Sequence, residues 1–375
     1  MNKFNQSNNF GNVPNSFYLV PNKFENINVE TNDNYQNNRK FLGKGTYGVA
    51  IKSGNNQYVK KIQSIDNLVE VKKVYSLKMF LQSKIGKEKL NKYFILPVSY
   101  KIIDKISLGQ YIKGTNKNAI QKFIIDNLPG NKLIIEKMMY FPNSIDFNKL
   151  NIPLRNFNVK IVCLRLLESI KLLHNNDIIH NDLKPQNIII AQDFLFSNKN
   201  SVKNNYYPHL IDFGLSTNLN NTNFSSFFFG SYTLFKDFYF PKRSTQQISF
   251  GLTKYNNPFG FIKHFINNDF GVNIIFSDET INSFKKISDY WKNLLTNFTT
   301  INEPMKKVMK YMDLIILAFI IYGFCLKQAQ LNNQEVSDDI ETWFNNVLII
   351  NGELPDAIPN INEMLSNFKK ISIYK

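Results

Sequence analysis

From about residue 39 onward, apolar and polar positions follow two rhythms in succession. Up to about residue 138, short apolar runs alternate with glycine and asparagine. Residues 40–42 lead into glycines, 49–52 and 57–62 read as strands on either side of a turn at 53–56, and 94–98 and 132–135 read as two further strands. One helix interrupts them at 67–84, with Val71, Val74, Leu77 and Leu81 at helical spacing. Beyond Pro142 the helical period dominates. Residues 158–176 predict an amphipathic helix with Ile161, Leu164, Leu167, Leu172 and Leu173 available to a core, and 305–327 and 338–349 predict two more. Short strands are predicted at 188–190 and 209–211, while 216–304 is rich in Phe and Asn without a clear period. Residues 1–36 are rich in Asn with weak periodicity, which predicts a flexible or loosely docked tail. There is no internal repeat. A strand-rich part with one helix, followed by a helix-rich part, predicts two lobes.

Composition supports a large core: 43% of the 375 residues are hydrophobic, with 33 Phe and 18 Tyr, which excludes wholesale disorder. The net charge of +16 attracts anions, whether nucleotides, acidic proteins, nucleic acid or anionic membranes, and does not choose among them. Most of that charge is lysine, since Arg39, Arg155, Arg165 and Arg243 are the only arginines. Lys, Asn, Ile and Phe share AT-rich codons, so the bias reads as genomic and argues against nucleic acid as the partner. Cys163 and Cys325 each sit in an apolar run, giving neither a disulfide framework nor a zinc site and fitting an intracellular setting, cytoplasmic or virion-associated. The start of the chain lacks the apolar core of a signal peptide. The longest apolar run, 314–326, falls short of the roughly 20 residues a spanning helix needs, so a buried helix and no transmembrane segment are expected.

Candidate chemistry begins at Gly43-Lys44-Gly45-Thr46-Tyr47-Gly48. Glycines let a backbone approach phosphates, but they also make turns, so the motif alone is weak. A dinucleotide-binding fold would place a helix next. Here a strand and a hairpin follow, so the glycines are expected to bridge two antiparallel strands over a nucleotide's phosphates. Lys60 and Lys61 both lie on the next strand, and side chains alternate, so only one can point inward. With Lys61 inward, Val59 can cover a base; with Lys60 inward, bulky Tyr58 occupies that place. This favours Lys61 and leaves Lys60 as the alternative. Glu70, the only carboxylate between Asn67 and Lys87, is the expected helical partner, against the reading of a solvated glutamate.

Phosphoryl transfer is mainly positioning and charge neutralisation. It needs a carboxylate for the hydroxyl proton, an amide oxygen and a second carboxylate for magnesium, and a lysine near the γ-phosphate. His180-x-Asp182-x-Lys184-Pro185-x-Asn187 offers those types after a long helix, and Asp212–Phe213–Gly214 follows the apolar His209–Leu210–Ile211. The run Leu166–Leu167, Leu172–Leu173–His174 and Ile178-Ile179-His180-Asn181-Asp182-Leu183-Lys184-Pro185-Gln186-Asn187-Ile188 resembles the catalytic segment of the eukaryotic-type protein kinases. The likeness extends in motif order over about 39–330.

The resemblance implies an α+β, bilobal kinase-like fold: an Asn-rich tail at 1–36, a small β-rich N-lobe with one helix at 37–138, and a larger α-helical C-lobe at 139–375. It implies Asp182 as catalytic base, Lys184 on the γ-phosphate, and Asn187 and Asp212 as ligands of a magnesium cofactor. ATP contacts are implied at Leu42, Gly43, Gly45, Gly48, Ala50, Lys61 and Glu70. Residues 133–138 resemble the lobe hinge, where backbone at Glu136 and Met138 would bond adenine; an ordinary buried strand end is the other reading. Asp313 resembles the helical Asp that braces the catalytic loop, and a plain helix N-terminal carboxylate is its alternative. Lys184 with Pro185 resembles Ser/Thr rather than Tyr kinases, so ATP and a protein of unknown identity are the expected substrates.

Departures from the family also stand in the sequence. Asn181 replaces the usual Arg before the catalytic Asp, which predicts activity independent of activation-loop phosphorylation. Residues 192–207 read as an insertion, and the segment from 212 to about 304 is enlarged. It carries no Ala-Pro-Glu, and no Arg follows Arg243 to pair with one. Such departures resemble divergent kinases of large DNA viruses or unusual protists. A pseudokinase scaffold and a small-molecule kinase remain alternatives.

Overall fold

The computed structural model describes residues 41–45, 48–52, 58–112, 117–141, 144–191, 208–220, 267–274, 302–375 and, with gaps, 278–290. The tail at 1–36, the turn at 53–56, the insertion at 192–207 and most of 216–304 lie outside the described residues.

Five strands form one antiparallel sheet: β1 (Phe41–Gly45), β2 (Gly48–Lys52), β3 (Tyr58–Ser64), β4 (Ser99–Asp104) and β5 (Lys132–Met139), in the order β1-β2-β3-β5-β4. The strand expected at 94–98 forms later, as β4. Pro97 removes a ladder donor and interrupts the run, and Phe94 instead makes an isolated parallel bridge to Leu210. β5 continues past the expected 135 to Met139, because it is an interior strand paired on both sides.

Alternation sorts the sheet into two faces. Val49, Ile51, Ile62, Leu133 and Ile135 project outward with Ile103, and Leu108, Ile112, Ile120, Ile124 and Leu128 close over them. These covering residues come from the connection between β4 and β5, which includes helix α3 (Lys117–Asn127). Ile120 and Ile124 are one helical turn apart, so α3 presents an apolar stripe to the sheet. The opposite face carries the row Ala50–Lys61–Glu136–Tyr100, set by the register of the four strands. Helix α1 (Leu68–Ile85) meets this face, with Tyr75 edge-on to Tyr100 at 5.5 Å. The single helix expected in the strand-rich part is thus joined by α3 and by the short α2 (Lys87–Tyr93).

The helical part is built on α4 (Asn156–His174), α5 (Glu303–Leu331), α6 (Asp338–Leu348) and α7 (Ile361–Lys370). Asn302 caps α5, accepting from the Met305 N–H at 3.0 Å. By length and composition α5 could cross a membrane, but 94% of its apolar window is buried inside the protein. Cys163 on α4 and Cys325 on α5 are free thiols whose sulfurs approach to 4.0 Å. α7 was legible but unassigned: Ile361, Met364, Leu365 and Phe368 are its buried stripe. Two short ladders, β6 (Ser144–Asp146) with β8 (Ile188–Ala191) and β9 (His209–Leu210), and β7 (Ile178–Ile179) with β10 (Thr217–Asn218), frame the loop between β7 and β8.

Candidate active site

The loop after β7 is pinned from below by a buried carboxylate. Asp313 Oδ2 accepts from the His180 N–H at 2.7 Å, and its Oδ1 from the Asn181 N–H at 2.9 Å. His174 Nε2 lies 3.4 Å from the same Oδ2. Asp313 lies well inside α5, so the reading of a helix N-terminal carboxylate does not apply. Asn181 adopts φ 62°, a left-handed conformation that asparagine tolerates better than most residues. The His180 ring packs on Phe213 at 4.7 Å, and its Nε2 is 3.0 Å from the Ile211 carbonyl oxygen. Burial pushes both His174 and His180 below the ordinary imidazole range.

On this brace sits a triangle of side chains. Lys184 Nζ donates to Asp182 Oδ2 at 2.8 Å. Asn187 Nδ2 donates to the Asp182 carbonyl at 2.8 Å and to Asp182 Oδ2 at 3.0 Å. A helical turn at Pro185–Asn187 fixes that asparagine, with Pro185 at its start, where the missing N–H costs nothing. The Ile211 N–H then bonds the Asn187 carbonyl at 2.9 Å, which brings Asp212 beside it. Asp212 is exposed, at φ 59°.

These residues fit magnesium. The Asn187 amide nitrogen is engaged with Asp182, which leaves its oxygen as the ligand atom. With the exposed Asp212 carboxylate this makes a hard, all-oxygen pair, and magnesium takes one or two such protein ligands plus water and phosphate oxygens. No group of three or more His, Cys, Asp or Glu that could hold a metal occurs among the described residues.

The two candidate lysines part company. Lys60 Nζ donates to the Tyr111 carbonyl at 3.0 Å, on the outer side with the β4–β5 connection. Lys61 projects to the inner face opposite Ala50 and Glu136, and its charge acts on Glu70. Burial raises the Glu70 carboxyl above its ordinary range; Lys61 pulls it back and Asp212 raises it further. Glu70 also lies against Gly214, where an added Cβ would stand 2.5 Å from Glu70 Oε1. Lys73, which sequence reasoning missed, donates from Nζ to the Gly214 carbonyl at 3.2 Å.

The glycine-rich turn is a hairpin, as expected, with Gly43 opposite Ala50 and Gly45 opposite Gly48. Leu42 falls at an irregularity between Phe41 and Gly43. Gly48 has a packing reason of its own: a Cβ there would meet the Ile62 carbonyl oxygen at 2.3 Å. Its tip, Thr46 and Tyr47, lies outside the described residues.

The expected adenine contacts at Glu136 and Met138 need correction. The Val98 N–H bonds the Lys137 carbonyl at 2.6 Å, so that carbonyl faces β4. Backbone groups alternate along a strand, so the Glu136 carbonyl and the Met138 N–H face β3, where the two residues pair with Lys61 and Val59. Both are committed to the sheet. The chain leaves the ladder only after Met139. Beyond it, Lys52 Nζ sits 4.7 Å over the Tyr140 ring, and Phe141 packs on His209 at 4.3 Å.

A further anchor was invisible in the sequence. Asp177, at φ 53°, pairs with Lys310 of α5 and accepts from Asn220 Nδ2 at 3.0 Å, and its carbonyl accepts from the Leu219 N–H at 2.8 Å. Lys306 Nζ donates to Asn220 Oδ1 at 2.7 Å. The start of the segment after Gly214 is thereby tied to α5.

The family model described as "protein kinase domain" matches residues 36–234, just over half of the chain, and the chain belongs to that family. Calcium-dependent protein kinase 4 of Plasmodium falciparum is 28% identical over 216 residues, 55% of this chain and 34% of that protein. A probable serine/threonine-protein kinase, the MRK1 homolog of Encephalitozoon cuniculi, is 26% identical over 153 residues, 40% of this chain and 39% of that protein. The matched stretches span little more than a third of these curated relatives.

Proposed function

We propose that the chain is an ATP-dependent serine/threonine protein kinase. The observation that carries this reading is the Asp182–Lys184–Asn187 triangle, braced by Asp313 and joined through the Ile211–Asn187 bond to Asp212. Asp182 Oδ2, held by Lys184 and Asn187, accepts the proton of a substrate hydroxyl as that oxygen bonds the γ-phosphorus and the bond to the ADP oxygen breaks. The Lys184 ammonium, 2.8 Å from Asp182, is within reach of the phosphoryl group and neutralises charge developing there. Asn187 and Asp212 would hold magnesium, which screens the phosphate oxygens. Lys61 takes the α- and β-phosphates under the Gly43–Gly48 hairpin. Backbone at 139–141, the first beyond the paired part of β5, takes adenine. Serine and threonine as acceptors rest on Lys184 with Pro185 and on the printed name of the E. cuniculi relative.

The test is phosphate transfer from labelled ATP to a panel of unstructured proteins, with Asp182→Asn as control. Transfer lost in the variant, with the label on Ser or Thr, supports the reading. Equal signal from both proteins refutes it.

A further inference from the structure

Glu136 is no adenine contact, yet its side chain is placed with unusual care. It is 4% exposed in the middle of β5, and its partner on β3 is Lys61. Directly opposed residues of an antiparallel pair project from one face with Cβ atoms about 5 Å apart. The carboxylate therefore stands alongside the lysine assigned to the phosphates. Gln63 Nε2 donates to Glu136 Oε2 at 2.7 Å, and Asn67 Nδ2 reaches Gln63 Oε1 at 3.4 Å.

The charges around this pair come in twos. Lys61 exerts the strongest charge effect on both Glu136 and Glu70, and the Glu70 charge raises the Glu136 carboxyl in turn. Glu70 has a second cation, Lys73, whose ammonium is fixed on the Gly214 carbonyl. Two lysines and two glutamates thus meet behind the nucleotide cleft beside Asp212. A carboxylate buried this deeply is costly without a cation to offset it, and Lys61 is the cation its register supplies.

We propose that Glu136, oriented by Gln63, is a second positioning carboxylate for Lys61, acting through its charge across the β3–β5 pair, so that the phosphate-contacting lysine is steered from the sheet as well as from α1. The inference rests on the kinase reading of Lys61 given above. Lys61 then stays aimed at the phosphates even when α1 shifts, and Glu70 is released to act with Lys73 against Gly214. Loss of one carboxylate leaves the other in place, and loss of both does not.

The experiment uses the full chain with Glu70→Gln, Glu136→Gln, Glu136→Asp, Gln63→Met and the Glu70→Gln/Glu136→Gln double variant. Magnesium-ATP affinity is read by calorimetry, kcat/KM for ATP by phosphate transfer, and folding by thermal melts. Each single Glu→Gln change is expected to lower kcat/KM by about threefold to tenfold, and the double by about a hundredfold or more, beyond the product of the singles. Glu136→Asp, which keeps the charge, should retain more ATP affinity than the better-fitting Glu136→Gln; a merely structural role predicts the reverse. Gln63→Met should show a weaker form of the Glu136→Gln loss, and it decides the matter if Glu136→Gln does not fold. Wild-type behaviour of Glu136→Gln or Gln63→Met, or a double variant no worse than Glu70→Gln, overturns the proposal. Transfer equal to that of Asp182→Asn would instead remove the kinase reading, and the affinity measurements would still decide on Glu136. A wild-type chain that binds no magnesium-ATP removes both.

Discussion

The side-chain amide of Asn181 donates to the carbonyl oxygen of Leu215 at 3.3 Å. The residue before Asp182, the proposed base, thus holds the segment after Gly214 without a charge. Ser216 Oγ adds a bond to the His180 carbonyl at 3.0 Å, and Asp177, Lys310, Lys306 and Asn220 tie down the next residues. None of these contacts needs a phosphate. Phosphatase treatment is therefore expected to leave kcat within about twofold, because no arginine at 181 awaits a phosphorylated loop. Asp177→Asn, which weakens the pairing with Lys310, should lower kcat more than dephosphorylation does. Loss of turnover on dephosphorylation would overturn this.

The lysine pair gives a sharper contrast. Lys61→Met should lower phosphate transfer by about a hundredfold or more, the scale of losing one pre-organised group that stabilises charge. Lys60→Met removes a bond to the Tyr111 carbonyl on the far side of the sheet, away from the residues proposed to face the phosphates, so its activity should stay within about fivefold of wild type, the scale of a hydrogen bond contributing about 1 kcal/mol. Steady-state kinetics of the two variants would settle the order.

Two glycines should fail differently when changed to alanine. At Gly48 the added methyl meets a backbone carbonyl, Ile62 O at 2.3 Å, which cannot give way without parting β2 from β3. Gly48→Ala is expected to destabilise by about 1–3 kcal/mol, measured by urea unfolding. At Gly214 the obstacle is the movable end of Glu70, at 2.5 Å. Gly214→Ala should displace that carboxylate, lowering kcat while unfolding shifts by less than about 1 kcal/mol, as for a group that can yield.

Stability should also fall with acid. His174 and His180 are buried and their imidazoles are held below their ordinary value. The unfolded chain then binds more protons than the folded one. Their contribution is complete above about pH 6.5 and is lost as pH falls below it. Glu70 and Glu136 act in the opposite sense. Their raised carboxyls favour the folded state below the ordinary glutamate value of 4.5, and that contribution is lost as pH rises through the raised values. The histidine contribution to the melting temperature should therefore drop between pH 7.5 and 5.5, and His174→Gln, which can still donate to Asp313, should shift the pH slope in that window in the stabilising sense relative to wild type. An unchanged slope in the variant would count against it.

The sequence disclosed the parts of this site that follow a local rhythm. α1, α4, α5 and α6 showed their apolar stripes, and the spacing from His180 to Asn187 singled out Asp182, Lys184 and Asn187, which the loop brings together. Three things stayed hidden, each for a physical reason. β5 is covered on both faces, so its Glu136 and Lys137 broke any alternation that would have extended the strand to Met139. Pro97 shifted β4 past the apolar run that announced it. Asp177, Lys310 and Asn220 are far apart in the chain, and only folding makes them neighbours. Alternation put Lys60 and Lys61 on opposite faces, and the register with Ala50 and Glu136 shows which face each one takes.

The connection that roofs the outer face of the sheet has a kinetic corollary. Amides in the middle of β5 lie between two neighbouring strands, with α3 and its flanking turns on one side and α1 on the other. Solvent can reach them only if a whole layer lifts. In deuterium exchange, β3 and β5 should therefore be the slowest-labelling part of the strand-rich half and take up label together, as one cooperative unit.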